Sequence, residues 1–372
     1  MNNLSLLYIE DNEEDVKLFA DTIKRYNKEH ESEKEVTFTD CRTVEDARKI
    51  LSNRENIFDG VIIDIKLNNT PGEGNRTTDI IKSLFIRIPC IAYTATPDDV
   101  NSDLILKKFT KATSSIDDVL DYLYNIQQTG LNKLLGTNGL MEEYLSFIYG
   151  NNIKPNLEHW MINAQEQPDI TVKALLRHVS YCITELINKE YEQSLTDEFY
   201  ITPPLNQNLK TGSVIKSKNE NDEYYIILSP ECDMVLRQPN NKPKTDNILI
   251  CTLDNFYNIT SNLIQGITKE DRKIRKIGEI IKNNYTEYYH FMPKCTKFDN
   301  KLINFRKVST ISFDDLIQNY EQIATVSGSY CKDILCRFST YYARQGQPDF
   351  HFENIAKNIL KEMQASSTTS TN

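Results

Sequence analysis

The chain has 372 residues, 39% of them hydrophobic and 26% charged, and carries a net charge of −10. That length suggests two or three domains with ample core, and that composition excludes a mostly disordered or fibrous chain. About −8 of the charge falls in residues 1–125, 16 basic against 24 acidic, so the remainder is near neutral and duplex DNA is not an expected partner.

In chain order, Leu4 to Ile9 is an apolar run that stops at Glu10-Asp11. Val16, Phe19, Ile23 and Tyr26 then recur at helical spacing, and residues 27–34 read as a charged extension of that helix or a solvated loop. Thr43 with Asp46 resembles a capping box before Ala47, Ile50 and Leu51. The segment Phe58 to Leu67 is the most informative, because Val61, Ile62 and Ile63 form a β-branched run that suits a parallel strand covered on both faces. It ends on Asp64, at the rim where doubly wound sheets open their ligand crevice. Residues 68–77, with two glycines and a proline, form the polar loop beside it. Pro89 to Tyr93 stops at Thr94, and Leu104 to Phe109 leads to Lys111. A helix after Ser115 carries Ile116, Val119, Leu120, Leu123 and Ile126 on one face, and a boundary falls at residues 127–130.

If these strands are parallel neighbours, three carboxylates, a hydroxyl and an ammonium meet at one rim. Glu10 and Asp11 alone would read as acids that satisfy a helix N-terminus. With Asp64 they form an oxygen set for a divalent cation, while Thr94 and Lys111 neutralise phosphoryl oxygens as one carboxylate attacks. These residues resemble the receiver domains of two-component response regulators, over about residues 1–127. The resemblance implies a flavodoxin-like, doubly wound α/β fold with a five-stranded parallel sheet. It also implies magnesium (Mg2+) at Glu10, Asp11 and Asp64, phosphoacceptor chemistry at Asp64 with contacts from Thr94 and Lys111, and a histidine-kinase-like ATPase as partner. The interval of 30 from Asp64 to Thr94 fits the family. The interval of 17 from Thr94 to Lys111 is short, and Ala112 stands where the family usually has proline. Lys108 is therefore a rival to Lys111, and the fourth helix of the domain is expected to be shortened.

Residues 128–200 read as a helical connector. Val172, Leu175, Leu176, Val179, Ile183, Leu186 and Ile187 form a broad apolar stripe, and Leu140 to Tyr149 is a second apolar helix that pairs with it. His159, Trp160 and His178 in this region read as core or surface residues rather than ligands. The segment is also where the receiver-like part is expected to dock, on its own chain or on a second copy, which makes a homodimer a candidate assembly.

From residue 201 to 364 the texture is α+β. Val214-Ile215, Tyr224 to Leu228 and Ile248 to Thr252 read as short strands of a small antiparallel sheet or barrel. Ser229 to Asp233 is a polar cluster after one of them. Its bland reading is a turn, and Cys232 and Asp233 are the candidates for a second site, although neighbouring acids make Cys232 a poor nucleophile. Val214 to Asp233 is faintly similar to the opening of the SH3-like barrel of toxin endoribonucleases, so a receiver-controlled nuclease stands as an alternative to a phosphorylation-regulated effector of another kind. A non-enzymatic adaptor with a degenerate receiver is the third reading. Residues 269–276 read as a solvated helix face, with phosphate binding as the alternative, and Ile277, Ile280 and Ile281 inward; Tyr285, Tyr288, Tyr289 and Phe291 read as a base-stacking run or as a core seam. Ile323 to Tyr342 reads as one helix, with Arg337 and Arg344 as candidate partner contacts, and residues 365–372 as a disordered tail.

Eight cysteines without a CxxC pair are expected to be reduced. No apolar run approaches the length of a membrane span, and the N-terminus enters the acidic strand–helix unit at once. A cytoplasmic protein is expected.

Overall fold

The structure is a computed structural model that describes residues 2–30, 34–53, 55–187, 193–205, 208–219, 222–237, 243–344 and 350–369. The chain divides into two compact units at residue 191.

The first unit opens with strands and helices in strict alternation: β1 (Asn2–Ile9), α1 (Glu13–Glu29), β2 (Lys34–Cys41), α2 (Val44–Ser52), β3 (Gly60–Ile63), α3 (Asn75–Ser83), β4 (Cys90–Thr94), β5 (Ile105–Thr110) and α4 (Ile116–Gln128). The five strands are parallel in the order β2-β1-β3-β4-β5, the flavodoxin-like arrangement. Because successive side chains alternate faces, Leu4, Leu6, Tyr8, Ile62 and Ile91 meet Phe19, Tyr26, Val119 and Leu123 on one side. Leu7, Ile9, Val61, Ile63 and Ala92 meet Ala47, Leu51, Ile80 and Ile81 on the other. Covered on both faces, β3 and β4 are buried at every position, which is why the apolar run Val61 to Ile63 reads so clearly.

Two local expectations need correction. Lys34 begins β2, not the end of an extended helix or loop; α1 stops at Glu29, where the His30 amide still donates to the Tyr26 carbonyl, and residues 31–33 lie outside the described residues. The polar loop after Asp64 is shorter than 68–77, because α3 starts at Asn75. The shortened fourth helix is present as a single 3-10 turn, Pro97–Asp99.

Four helices complete this unit: α5 (Leu131–Leu135), α6 (Leu140–Ile148), α7 (Leu157–Glu166) and α8 (Pro168–Ile187). Trp160 packs on His178 with ring centroids 5.7 Å apart, so His178 is a packing residue. This helical segment docks on the amino-terminal rim of the sheet. Asn132 Nδ2 donates to the Asp59 carbonyl, Arg87 Nε donates to the Leu135 carbonyl, and Arg87 Nη2 pairs with Glu142 at 2.7 Å. The reason is topological: α4 runs antiparallel to the strands and delivers the chain to the rim opposite Asp64.

The second unit is built on a seven-stranded antiparallel sheet. Its strands are β6 (Tyr200–Ile201), β7 (Ser213–Ser217), β8 (Tyr224–Ile227), β9 (Asn247–Asn255), β10 (Tyr289–Met292), β11 (Lys301–Ser312) and β12 (Tyr320–Val326), in the order β10-β11-β9-β8-β7-β12-β6. Helices α9 (Glu231–Met234), α10 (Phe256–Ile264), α11 (Glu270–Ile281), α12 (Phe313–Asn319), α13 (Gly328–Ala343) and α14 (Phe352–Thr369) connect or follow them. One face buries Val214, Ile226, Cys251, Phe305 and Ile334, the other Ile215, Ile227, Ile250 and Leu316.

Here the sequence misleads in four places. Ile323 to Val326 is strand, and the helix begins only at Gly328, because Ala324 to Val326 pair with β7 and β6 while Ile323, Ala324 and Val326 pack into the core. Ile281 is 45% exposed while Ile277 and Ile280 pack inward. Arg337 is an internal staple, its Nη2 donating to the carbonyls of Asn283, Thr286 and Tyr289. The helix α14 reaches Thr369, into the stretch read as tail; residues 370–372 lie outside the described residues.

Candidate functional site

The carboxyl ends of β1, β3, β4 and β5 converge. Parallel pairing sets the register there: the Asp64 amide donates to the Ile9 carbonyl at 2.9 Å, and the Lys111 amide to the Thr94 carbonyl at 3.0 Å. Glu10, Asp11, Asp64, Thr94 and Lys111 are thus gathered at one rim from positions 10 to 111.

Asp64 is 6% exposed, and its two oxygens have different partners. Oδ1 accepts from the Thr94 hydroxyl at 2.6 Å and from the Lys66 amide at 3.2 Å; Oδ2 accepts from Lys111 Nζ at 2.9 Å. Burial of an ionised carboxylate is tolerable only with such partners. Glu10, fully buried, accepts from Lys111 Nζ at 2.6 Å, the Tyr8 hydroxyl at 3.1 Å and the Asn12 amide at 3.0 Å. Desolvation pushes the Glu10 carboxyl above its usual range against the pull of Lys111 and the Asn12 amide. Desolvation alone would lower Lys111, but the hydrogen bonds it donates to Asp15, Glu10 and Asp64 together outweigh it and hold the ammonium charged. Asp11 is half-buried and accepts from the Asn68 amide at 2.8 Å, which ties the loop after β3 to the end of β1.

The two rival lysines are placed differently. Lys108 Nζ donates to the carbonyls of Pro97 and Val100, so it caps the short turn that replaces a fourth helix. Lys111 Nζ reaches the acids. The residue that sequence reasoning missed is Asp15, whose Oδ2 lies 2.6 Å from Lys111 Nζ. In the sequence it is one of three acids in the first turn of α1, after the Asn12 cap, and reads as a favourable charge at a helix N-terminus.

Glu10, Asp11 and Asp64 each present an oxygen within 4.8 Å of the others. A hard, all-oxygen set of this size suits magnesium, which takes few carboxylates and keeps several waters. With Asp15 included, three carboxylates contact the Lys111 ammonium and Asp11 adds a fourth to the rim, so the site has charge to spare for a divalent cation.

The second candidate pair is placed differently. Cys232 and Asp233 lie on the short helix α9; Cys232 is exposed and its thiol neighbours the Asp233 carboxylate at 3.8 Å. Asp233 pairs with Lys244 at 3.3 Å, and its carbonyl accepts from the Lys244 and Thr245 amides. These contacts fix a turn after β8. Among the described residues no helix is long and apolar enough to cross a membrane.

No protein-family model and no curated protein matches the chain. Solved structures do match its first third. A Francisella response-regulator receiver domain is similar at 15% identity and TM-score 0.27, covering 34% of this chain and 98% of that one. A phosphorylated cyanobacterial phytochrome response regulator is similar at 20% identity and TM-score 0.26, covering 36% and 96%. The receiver domain of a Pseudomonas aeruginosa sensor histidine kinase, with magnesium coordinated in its active-site cleft, is similar at 15% identity and TM-score 0.25, covering 33% and 96%. The solved structures that this part of the chain resembles are receiver domains.

Proposed function

We propose that the five-stranded domain is a phosphoryl-accepting receiver, with Asp64 as nucleophile and magnesium as cofactor, and that it regulates the C-terminal unit in answer to a histidine-kinase-like ATPase. The observation that carries this reading is the divided environment of one buried carboxylate: the Thr94 hydroxyl on one Asp64 oxygen and the Lys111 ammonium on the other. A phosphoryl group bound to Asp64 has non-bridging oxygens that need a hydroxyl donor and a fixed cation, and both stand within reach.

In the transfer, an Asp64 oxygen forms a bond to phosphorus as the donor's phosphorus–nitrogen bond breaks, the electron pair leaving with the donor nitrogen. Lys111 and Thr94 then take the phosphoryl oxygens as partners in place of the carboxylate. Glu10, Asp11 and Asp64 would hold magnesium, which offsets the charge that accumulates as one anion approaches another. Near-neutral charge after residue 125 supports an output other than duplex-DNA binding.

The test is phosphorylation of the full-length protein by acetyl phosphate with magnesium, read by intact mass. The parent is expected to gain one phosphate and Asp64→Ala none. Equal uptake by the two proteins overturns the assignment.

A further inference from the structure

The acids around Lys111 fall into two kinds. Glu10 and Asp64 serve twice, since both belong to the three-carboxylate cluster and both also accept from Lys111 Nζ. Asp15 serves once: it holds Lys111 at 2.6 Å and is not part of the three-carboxylate cluster. A divalent cation and an ammonium drawing on the same two carboxylates compete, because their charges repel and the oxygen lone pairs are finite.

Resting on the receiver reading above, we propose that Asp15 is a positioning residue that anchors the Lys111 ammonium beside Asp64 and leaves Glu10 and Asp64 available to a divalent cation. Its place in the fold suits that role. It lies one helical turn beyond Asp11 on α1, at the outer side of Lys111, with its side chain 33% exposed against 1% for Glu10 and 9% for Asp64. An anchor there takes one of the three ammonium protons and offsets part of the positive charge that a divalent cation on Glu10 and Asp64 would meet.

With Asp15 made neutral, Lys111 has only Glu10 and Asp64 as charged partners, and its uncompensated charge competes more strongly with a cation for both. Magnesium affinity then falls even though no carboxylate of the three-acid cluster has been touched.

Magnesium chloride titrated calorimetrically into the full-length protein reads this directly. Asp15→Asn is expected to weaken binding about ten-fold, the scale typical of residues that orient metal ligands. Asp15→Glu, which keeps the charge, is expected to restore part of the loss. Lys111→Met, which removes the competing cation, is expected to strengthen binding, and Asp15→Asn made in that background is expected to change it far less. Equal losses in the two backgrounds would show that Asp15 acts as a plain nearby charge and overturn the anchoring role. Parent binding with an unaltered Asp15→Asn affinity overturns this inference alone, whereas a parent that takes no magnesium overturns the receiver reading with it.

Discussion

Thr94 Oγ1 donates a hydrogen bond of 2.6 Å to Asp64 Oδ1 across 30 positions of sequence, from the end of β4 to the end of β3. The hydroxyl has one proton, and it is spent on that oxygen, while the Thr96 amide donates back to Oγ1 at 3.2 Å. Under the proposed function, a phosphoryl group on Asp64 would offer that proton a new acceptor oxygen.

Thr94→Val keeps the shape and deletes the donor. Phosphorylation by acetyl phosphate is expected to slow by roughly ten- to a hundred-fold, at or below the cost of losing one donor to developing charge. Thr94→Ser should stay close to the parent. A rate of phosphate uptake that Thr94→Val leaves unchanged would remove the threonine from the mechanism.

The two lysines separate a site role from a local one. Lys111→Ala removes the only cation that contacts Glu10, Asp15 and Asp64 among the described residues, and phosphate uptake should drop sharply. Lys108→Ala removes bonds to two loop carbonyls, so its uptake should remain near that of the parent. The reverse order of effects would reassign the phosphoryl contact to Lys108.

Much of this site was legible because strand ends are strong signals. The β-branched run Val61 to Ile63 reads as a buried strand, and a carboxylate directly after such a strand falls at the rim. Asp15 was not legible, because its partner is 96 positions away and its local setting, the first turn of a capped helix, already explains an acid. β2 was missed for a similar reason: Lys34 to Cys41 alternates polar and apolar residues on a half-covered edge and has no continuous apolar run. In the second unit, Ile323 to Val326 is a short run that fits a helix or a buried strand, and pairing with β7 and β6 decides between them. Arg337 reads as a surface cation until the three carbonyls it caps are brought together by the fold.

Gly74 gives a prediction about how Asp64 is held. A Cβ there would sit 2.1 Å from the Asp64 carbonyl oxygen and 2.8 Å from Ile65 Cα, both backbone atoms that no side-chain rotation can clear. The Gly74 amide also donates to the Ile65 carbonyl at 3.0 Å, so the start of α3 is clamped to the segment that carries Asp64. Gly74→Ala should destabilise the protein by about 1–3 kcal/mol, as overpacking does. It should also weaken magnesium binding, because the Asp64 backbone must move. Urea unfolding of the full-length protein and a magnesium titration check both; parent-like values in the two measurements would contradict the close approach.

The last prediction concerns pH and the second unit. His290 on β10 is 3% exposed, its Nδ1 has no hydrogen-bond partner among the described residues, and Asp333 is 3.8 Å away. Burial first, and the nearby Arg337 guanidinium second, lower its pKa to about 3. The unfolded chain binds a proton there near pH 6.5, whereas the folded chain does not until far lower. Above pH 6.5 both states are neutral at this residue and it adds no pH dependence. As the pH falls below 6.5 the unfolded state gains a proton that the folded state refuses, so stability declines toward the folded value. Between pH 6.5 and 4.5 the loss from this one residue is about 2–3 kcal/mol. His290→Gln cannot titrate, so its unfolding free energy should fall less steeply over that window than the parent's, whatever its starting stability. The acids that also titrate there are common to both proteins, and the difference in slope isolates His290. Parallel slopes in urea unfolding from pH 7 to 4.5 would mean that the folded state accommodates the charged imidazole, with Asp333 as its partner.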